Sequence, residues 1–376
     1  KSVAKQLSKG IEFLMKKNSI THFSGLGKLE SKNYINIIQK SRSKQISAKN
    51  IIIATGAKPK TFQNIKIDGK YIIGSKEALN LIEVPKKIII VGSGAIGCEF
   101  AFYFNSFGAD VEIIEMQKRI LPMEDSEISA ALKDSFTSSG IKIHNNSKVK
   151  SIDKLKNKIK VNVVTENGSL QIDGNIALLA IGVEGNINNI GLKGVGVKSE
   201  NGSISINNHC QTNIPNIYAI GDVAGPPWLA HKASAQGHMV ADFICGKDVH
   251  EIDYFNVPNC TYCQPQVASL GLTESKAKDL GHNIKVGKFF FRASGKAMAV
   301  GNTFGFVKLI FDDRYGELIG AHIIGDGATE MIAELNLAKA LESTWEDLAM
   351  TMHAHPTLSE AVMEAAMDAF GSAIHQ

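Results

Sequence analysis

Two stretches of this sequence carry residue types at spacings that suit chemistry. The first is Gly92-Ser93-Gly94-Ala95-Ile96-Gly97, which follows the apolar run Lys87–Val91 and opens a helical pattern. Glu115 stands eighteen residues beyond Gly97, at the end of the next apolar run. This is the context in which a glycine triplet cradles a dinucleotide: Gly92 makes the tight turn, Gly94 lets a pyrophosphate approach the backbone, and Gly97 lets helix and strand pack. The helix N-terminus supplies amides and a dipole for the phosphates. Glu115 would accept hydrogen bonds from the adenosine ribose hydroxyls and repel a 2′-phosphate, so the expected ligand is NAD rather than NADP. The plainer alternative is a glycine turn with only a structural role.

The second stretch is Met352-His353-Ala354-His355-Pro356-Thr357-Leu358-Ser359-Glu360. It places a histidine that can titrate near neutral pH just ahead of a helix, with a carboxylate five residues later able to reach it. His353 and His355 are one residue apart and should point different ways, so at most one does acid/base work. Thr357 and Glu360 also satisfy the capping-box spacing, which would give Glu360 a purely structural task.

The elements that position these residues follow from periodicity. Val3, Leu7, Ile11 and Leu14 lie at helical spacing. Residues 34–38 and 51–54 are expected to be strands, separated by a polar Ser/Lys/Arg segment that suits a loop. From Pro85 the order strand, glycine turn, helix, strand makes a βαβ unit. A helix follows with Ile128, Leu132 and Phe136 on one face, capped by Asp125 or Ser126 and ended by Gly140. Residues 159–164 and 169–172 read as a hairpin through Glu166-Asn167-Gly168. Three apolar runs stop at a glycine, at Gly56, Gly182 and Gly221. Since ligands of open parallel sheets lie beyond the carboxyl ends of the strands, the three together suggest two cofactor domains. From about Pro258 strands precede two long helices, over about 328–342 and 358–370, as in an α+β domain.

Composition narrows the function classes. With 376 residues, 44% hydrophobic and 21% charged, the chain has the make-up of a soluble globular protein of two or three domains. The net charge of +4 is spread along the chain, against nucleic acid as the main ligand. No apolar run reaches bilayer-spanning length and no signal-peptide core is present, so a cytoplasmic or organelle-matrix location is expected. The five cysteines have no disulfide-framework spacing, and Cys260-x-x-Cys263 has no second pair with which to hold a metal.

Taken together, Ile51-Ile52-Ile53-Ala54-Thr55-Gly56, the Gly92 stretch with Cys98-Glu99, Ile217–Gly225 with Leu229–Ala233, and His353–Glu360 resemble the dihydrolipoamide dehydrogenase family over essentially the whole chain. The resemblance implies an α/β fold with two Rossmann-like dinucleotide-binding domains, the first incomplete, and a C-terminal α+β dimerisation domain. It implies residues 1–78 and 205–257 for the FAD-binding domain, 79–204 for the NAD-binding domain and 258–376 for the interface. On the FAD side it implies Gly27, Thr55, Gly56, Gly221, Asp222 at the ribitol, and Ala230 and His231 against the flavin. On the NAD side it implies Gly92, Gly94, Gly97, Glu115, Gly182 and Glu99, the last near the flavin–nicotinamide junction; Glu99 could instead serve only the helix dipole. His355 would be the acid/base for the thiols, oriented by Glu360 and serving the other subunit of a homodimer. The partner would be a lipoyl group of a 2-oxo acid dehydrogenase or glycine cleavage complex, with no nucleic acid or membrane. Sibling disulfide reductases and a non-catalytic, NAD-binding, dimerising fragment are the alternatives.

The sequence departs from the family's pattern in two ways. It contains neither an N-terminal GxGxxG for the ADP half of FAD nor two cysteines separated by four residues. The chain begins with lysine inside a helical pattern, so the expectation is a truncated chain, inactive by itself in the dithiol step. After Gly182 stands Val183-Glu184-Gly185-Asn186, where many relatives carry arginine.

Overall fold

The computed structural model describes residues 1–40 and 42–375, which form two compact units. One comprises Lys1–Lys58 with Glu184–Ile252, the other Pro59–Val183 with Asp253–Gln376. These limits differ from the expected boundaries at 78/79, 204/205 and 257/258. The βαβ region and the last domain fall into one unit because they share a core: Phe104 and Phe136 from helices of the former meet Val267, Phe306 and Ile324 from the sheet of the latter.

In the second unit a five-stranded parallel sheet runs in the order Ile72–Ile73, Ile176–Leu179, Lys87–Val91, Asp110–Ile114, Lys142–His144. Alternate residues of the central strand face opposite layers, as the two-residue period of a strand requires. Ile88 and Ile90 pack with Cys98, Phe104, Leu132 and Phe136 of the helices Ala95–Ser106 and Ser126–Ser138. Ile89 and Val91 pack instead against Val161 and Val163 of the three-stranded antiparallel sheet Lys148–Lys154, Ile159–Thr165, Gly168–Gly174. The expected hairpin is the second turn of that sheet, with Thr165 opposite Gly168. All three central isoleucines are fully buried, each worth about 1.5–3 kcal/mol of transfer free energy. Asp125 is the helix cap, accepting from the amide of Glu127 at 3.0 Å.

The same unit holds the α+β domain. Its antiparallel sheet runs Asn259–Thr261, Gln266–Gly271, Leu318–Gly325, Gly305–Asp312, Ile284–Phe290. The helices Ala328–Ala340 and Glu360–Asp368 cover it, burying Met331, Ile332, Leu335, Val362 and Ala365. The second helix lies so near strand Ile284–Phe290 that a β-carbon on Gly287 would come within 1.9 Å of the Ala365 carbonyl. Only glycine permits that approach, which fixes where Glu360 begins its helix.

In the first unit the strands Ile51–Ile53 and Ile217–Ala219 are parallel neighbours. A separate antiparallel sheet contains Leu26–Leu29, Tyr34–Gln39 and Arg42–Ser47. The last strand corrects the expected loop: its side chains are nearly all exposed, so a polar Ser/Lys/Arg sequence pairs at a sheet edge without an apolar stripe. The amphipathic helix Ser2–Lys17 is present, and none of its residues is buried.

Glu124, next to the Asp125 cap, carries a stored pH dependence. It is buried beside Ser269, and one carboxylate oxygen has no partner. Burial raises its pKa from 4.5 to about 7. The folded state therefore binds more protons than the unfolded state between these values, and this group's contribution to stability declines as pH rises through that window. In urea unfolding of the isosteric Glu124→Gln variant, the stability difference (variant minus parent) should grow between pH 5 and pH 7; a constant difference refutes the assignment.

Candidate active site

The glycine loop leaves strand Lys87–Val91 and enters helix Ala95–Ser106 at two close approaches. A β-carbon on Gly92 would meet the Ala180 carbonyl oxygen at 2.5 Å, and one on Gly97 would meet that of Gly92 at 2.1 Å. Gly94 differs: it is the helix N-cap, has no side-chain cap, and a β-carbon there would meet nothing within 4 Å. The loop is thus packed tightly on its sheet side and open at the uncapped amides of the helix, which fits a pyrophosphate. Glu115 is buried beside it, one oxygen accepting from the amide (2.8 Å) and hydroxyl (2.6 Å) of Ser93, the other from the Gln117 amide (2.8 Å). Gly182 follows strand Ile176–Leu179 and its carbonyl accepts from the Lys60 amide at 2.9 Å. Glu99 lies on the first turns of the helix. Its carboxylate accepts from the Tyr262 amide at 2.9 Å, so it contacts the α+β domain; it lies beyond the first turn of the helix, and burial raises its pKa.

The FAD-side residues lie in the other unit. Because Ile51–Ile53 and Ile217–Ala219 run parallel in register, Thr55-Gly56 and Gly221-Asp222 leave the same edge of their sheet. Thr55 and Asn186 bond reciprocally: the Thr55 hydroxyl donates to the Asn186 carbonyl, and the Asn186 amide nitrogen to the Thr55 carbonyl, both at 2.9 Å. Asp222 is half-buried in the turn Gly221–Ala224, and Ala230 and His231 open the helix Ala230–Ile244. Gly27 stands on strand Leu26–Leu29, opposite Ile37.

Two residues that sequence reading missed hold the Asp222 turn. The Lys232 ammonium, almost wholly buried, donates to the carbonyls of Gly221 and Gly225 at 3.0 Å each. Gln236 accepts from the Gly221 amide at 2.8 Å. Burial lowers the Lys232 pKa, opposed by the nearby charge of Asp222. A lysine and a glutamine four apart on one helix face carried a signal only in hindsight, since neither is expected to be buried unpaired.

His355 and Glu360 meet. The imidazole Nδ1 donates to Glu360 Oε1 at 2.8 Å, and Glu360 Oε2 accepts from the Thr357 amide at 2.8 Å. One carboxylate therefore serves both uses that the sequence left open, orienting the histidine and closing the turn before the helix. The Thr357 hydroxyl departs from the capping-box expectation by donating to the Ala354 carbonyl, and Ser359 occupies the N-cap position. The Thr357 amide, offset by partial burial and aided by His355, holds the Glu360 carboxyl below the usual range, so it stays anionic. With the proton on Nδ1, Nε2 is left as an acceptor on a side chain that is 78% exposed.

The cysteines are free thiols. The Cys98 sulfur donates to the Ser93 carbonyl and the Cys263 sulfur to the Pro265 carbonyl, at 3.3 and 3.1 Å. Burial pushes Cys98 well up, Cys210 to about 11 and Cys263 to about 12, which makes them poor nucleophiles. No group of potential ligands that could hold a metal exists among the described residues.

Residues 2–237 match the pyridine nucleotide-disulphide oxidoreductase family, and residues 257–366 match its dimerisation domain. The chain belongs to this family. Among its relatives are dihydrolipoyl dehydrogenases of Rhizobium etli, 44% identical over 100% of this chain and 82% of the relative, and of Zymomonas mobilis, 43% identical over 100% and 81%. Among solved structures, LpdA from Mycobacterium tuberculosis superposes with a TM-score of 0.90 at 25% identity, covering 97% of this chain and 81% of that one. No helix among the described residues is long and apolar enough to cross a membrane.

The second and third glycines of the loop should separate in mutation. Gly97→Ala is expected to lower stability by about 1–3 kcal/mol through overpacking. Gly94→Ala should stay within about 0.5 kcal/mol of the parent yet weaken NADH binding. Thermal melting and NADH fluorescence titration report the two effects; equal stability losses would contradict the packing assigned to the loop.

Proposed function

We propose that this enzyme is a dihydrolipoyl dehydrogenase that oxidises a protein-bound dihydrolipoyl group, with FAD as intermediate carrier and NAD⁺ as final acceptor. The observation that carries the reading is the His355–Glu360 pair, an exposed imidazole with a fixed tautomer and an open Nε2. FAD, when bound, supplies transfer of an electron pair between dithiol and nicotinamide chemistry. Thr55, Gly56, Gly221, Asp222, Ala230 and His231 are the residues assigned to hold it, with Gly27 on a separate sheet of the same unit. Gly92, Gly94, Gly97 and Gly182 are assigned to NAD, and Glu115 to its ribose, where a second carboxylate lone pair on either oxygen can still accept.

His355 takes the thiol proton on Nε2 as the dithiol is oxidised, and Glu360 stabilises the imidazolium so formed through Nδ1. Assigned to the ribose, the Glu115 carboxylate would repel the 2′-phosphate of NADP, which favours this reading over NADPH-using siblings. In the homodimer that the dimerisation domain builds, His355 serves the flavin site of the partner subunit. The lipoyl group of a 2-oxo acid dehydrogenase or glycine cleavage complex is the proposed substrate, in a cytoplasmic or organelle-matrix setting.

One observation favours a second reading for the 376-residue chain by itself. Four of its five thiols have raised pKa values, and no two cysteines have the spacing of the family's redox pair. By that reading the chain alone binds nucleotide and dimerises but does not turn over lipoamide. In enzyme competent for that turnover, His355→Gln should lower kcat by about 10²–10⁴-fold and remove the acid limb of its pH profile. An unchanged profile would exclude His355 as the base.

A further inference from the structure

His353 and His355 are treated oppositely by the fold. The His355 side chain is 78% exposed and uses one ring nitrogen, whereas that of His353 is 5% exposed and uses both. Its Nδ1 lies 3.0 Å from the Thr351 carbonyl, which can only accept, so Nδ1 carries a proton. Its Nε2 lies 2.6 Å from Glu334 Oε1, within hydrogen-bond distance. A histidine with both nitrogens engaged has no lone pair left to offer a substrate. It is built to hold.

What it holds is the segment between the helices Trp345–Met350 and Glu360–Asp368. That segment is tied at its start by the Thr351 hydroxyl donating to the Asp347 carbonyl at 2.7 Å, and at its end by Thr357 and Glu360. Between these ties, His353 reaches across to Glu334 on helix Ala328–Ala340. That helix is a firm support: Met331, Ile332, Leu335 and Ala338 are buried in the core, and Thr329 bonds the Gln266 side chain through its amide (3.1 Å) and hydroxyl (2.9 Å). Glu360 also feels the charge of both imidazoles.

We propose that His353 and Glu334 form a positioning pair that anchors the loop and so sets the direction in which His355 presents Nε2. This rests on the reading of His355 as the base. Neither residue touches substrate. They act by keeping His355 within reach of Glu360, since a displacement of about 1 Å at a reacting group can cost up to about a hundredfold in rate.

The test is ¹⁵N NMR of histidine-labelled 376-residue chain, with the His355 signal identified by its loss in His355→Gln. In the parent, neutral His355 should be mainly the Nδ1–H tautomer. In His353→Gln, and in the milder Glu334→Gln, the population should move toward Nε2–H, and Glu334→Asp should restore part of it. In enzyme that turns over lipoamide, each variant should lower kcat by about ten- to a hundredfold without changing KM for the nicotinamide nucleotide. The double variant His353→Gln/Glu334→Gln should be no worse than either single one. A His355 tautomer unchanged in both variants would overturn the positioning role. Should His355→Gln itself leave turnover intact while the tautomer still shifts, the acid/base reading fails and the anchoring geometry stands.

Discussion

A single buried cation ties together the unit that carries both the nucleotide loop and the histidine. Lys308, on a central strand of the antiparallel sheet, is 1% exposed and reaches Asp125 at 3.0 Å, Glu127 at 2.7 Å and Glu274 at 2.7 Å. Burial alone would lower its pKa, but the three carboxylates override this and raise it. A buried charge is tolerated only with such compensation, and removal of one partner typically costs about 3–5 kcal/mol because the other charges are left unpaired. Two of the three partners, Asp125 and Glu127, begin the helix Ser126–Ser138 of the parallel-sheet layer, and Asp125 also caps it. The contact joins the start of that helix to a strand of the antiparallel sheet. Through it, Gly92 and Glu115, which follow strands of one sheet, and His355 and Glu360, at the start of a helix covering the other, belong to a single packed body, with Glu99 and Tyr262 making a further link.

Within that body each functional group is set by a local rule and confirmed by a distant contact. The glycine loop shows the division clearly. Its turn and helix entry follow from three glycines in sequence, but the surface it packs on is Ala180, some eighty-eight residues after Gly92, which a single strand–turn–helix pattern cannot specify. Likewise the tether from His355 to Glu360 is local, while the position of their helix depends on Gly287 and the sheet beneath it.

This separates what was legible in the sequence from what was not. The βαβ unit, the hairpin at 166–168 and the two late helices were readable because periodicity reports which face is buried. Strand Arg42–Ser47 was not, because an exposed edge strand has no buried face to report. Lys232, Gln236 and Glu334 were missed because their partners are backbone or side-chain groups brought together only by folding. The Glu360 ambiguity had a different origin: spacing allowed either a cap or a catalytic partner, and a carboxylate with two oxygens does both. Family resemblance carried the assignments on the FAD side, where spacing by itself showed only strands ending at glycines.

On the proposed function, electrons leave through a site built from the Gly92 loop and Glu115 that takes NAD and excludes NADP. Parallel equilibrium titrations of the 376-residue chain with NADH and NADPH, repeated on Glu115→Ala, test it most directly. The account predicts at least about tenfold tighter binding of NADH, corresponding to about 1.4 kcal/mol, and a preference that shrinks in the variant. Equal affinity for the two nucleotides, or a preference indifferent to Glu115, would contradict it.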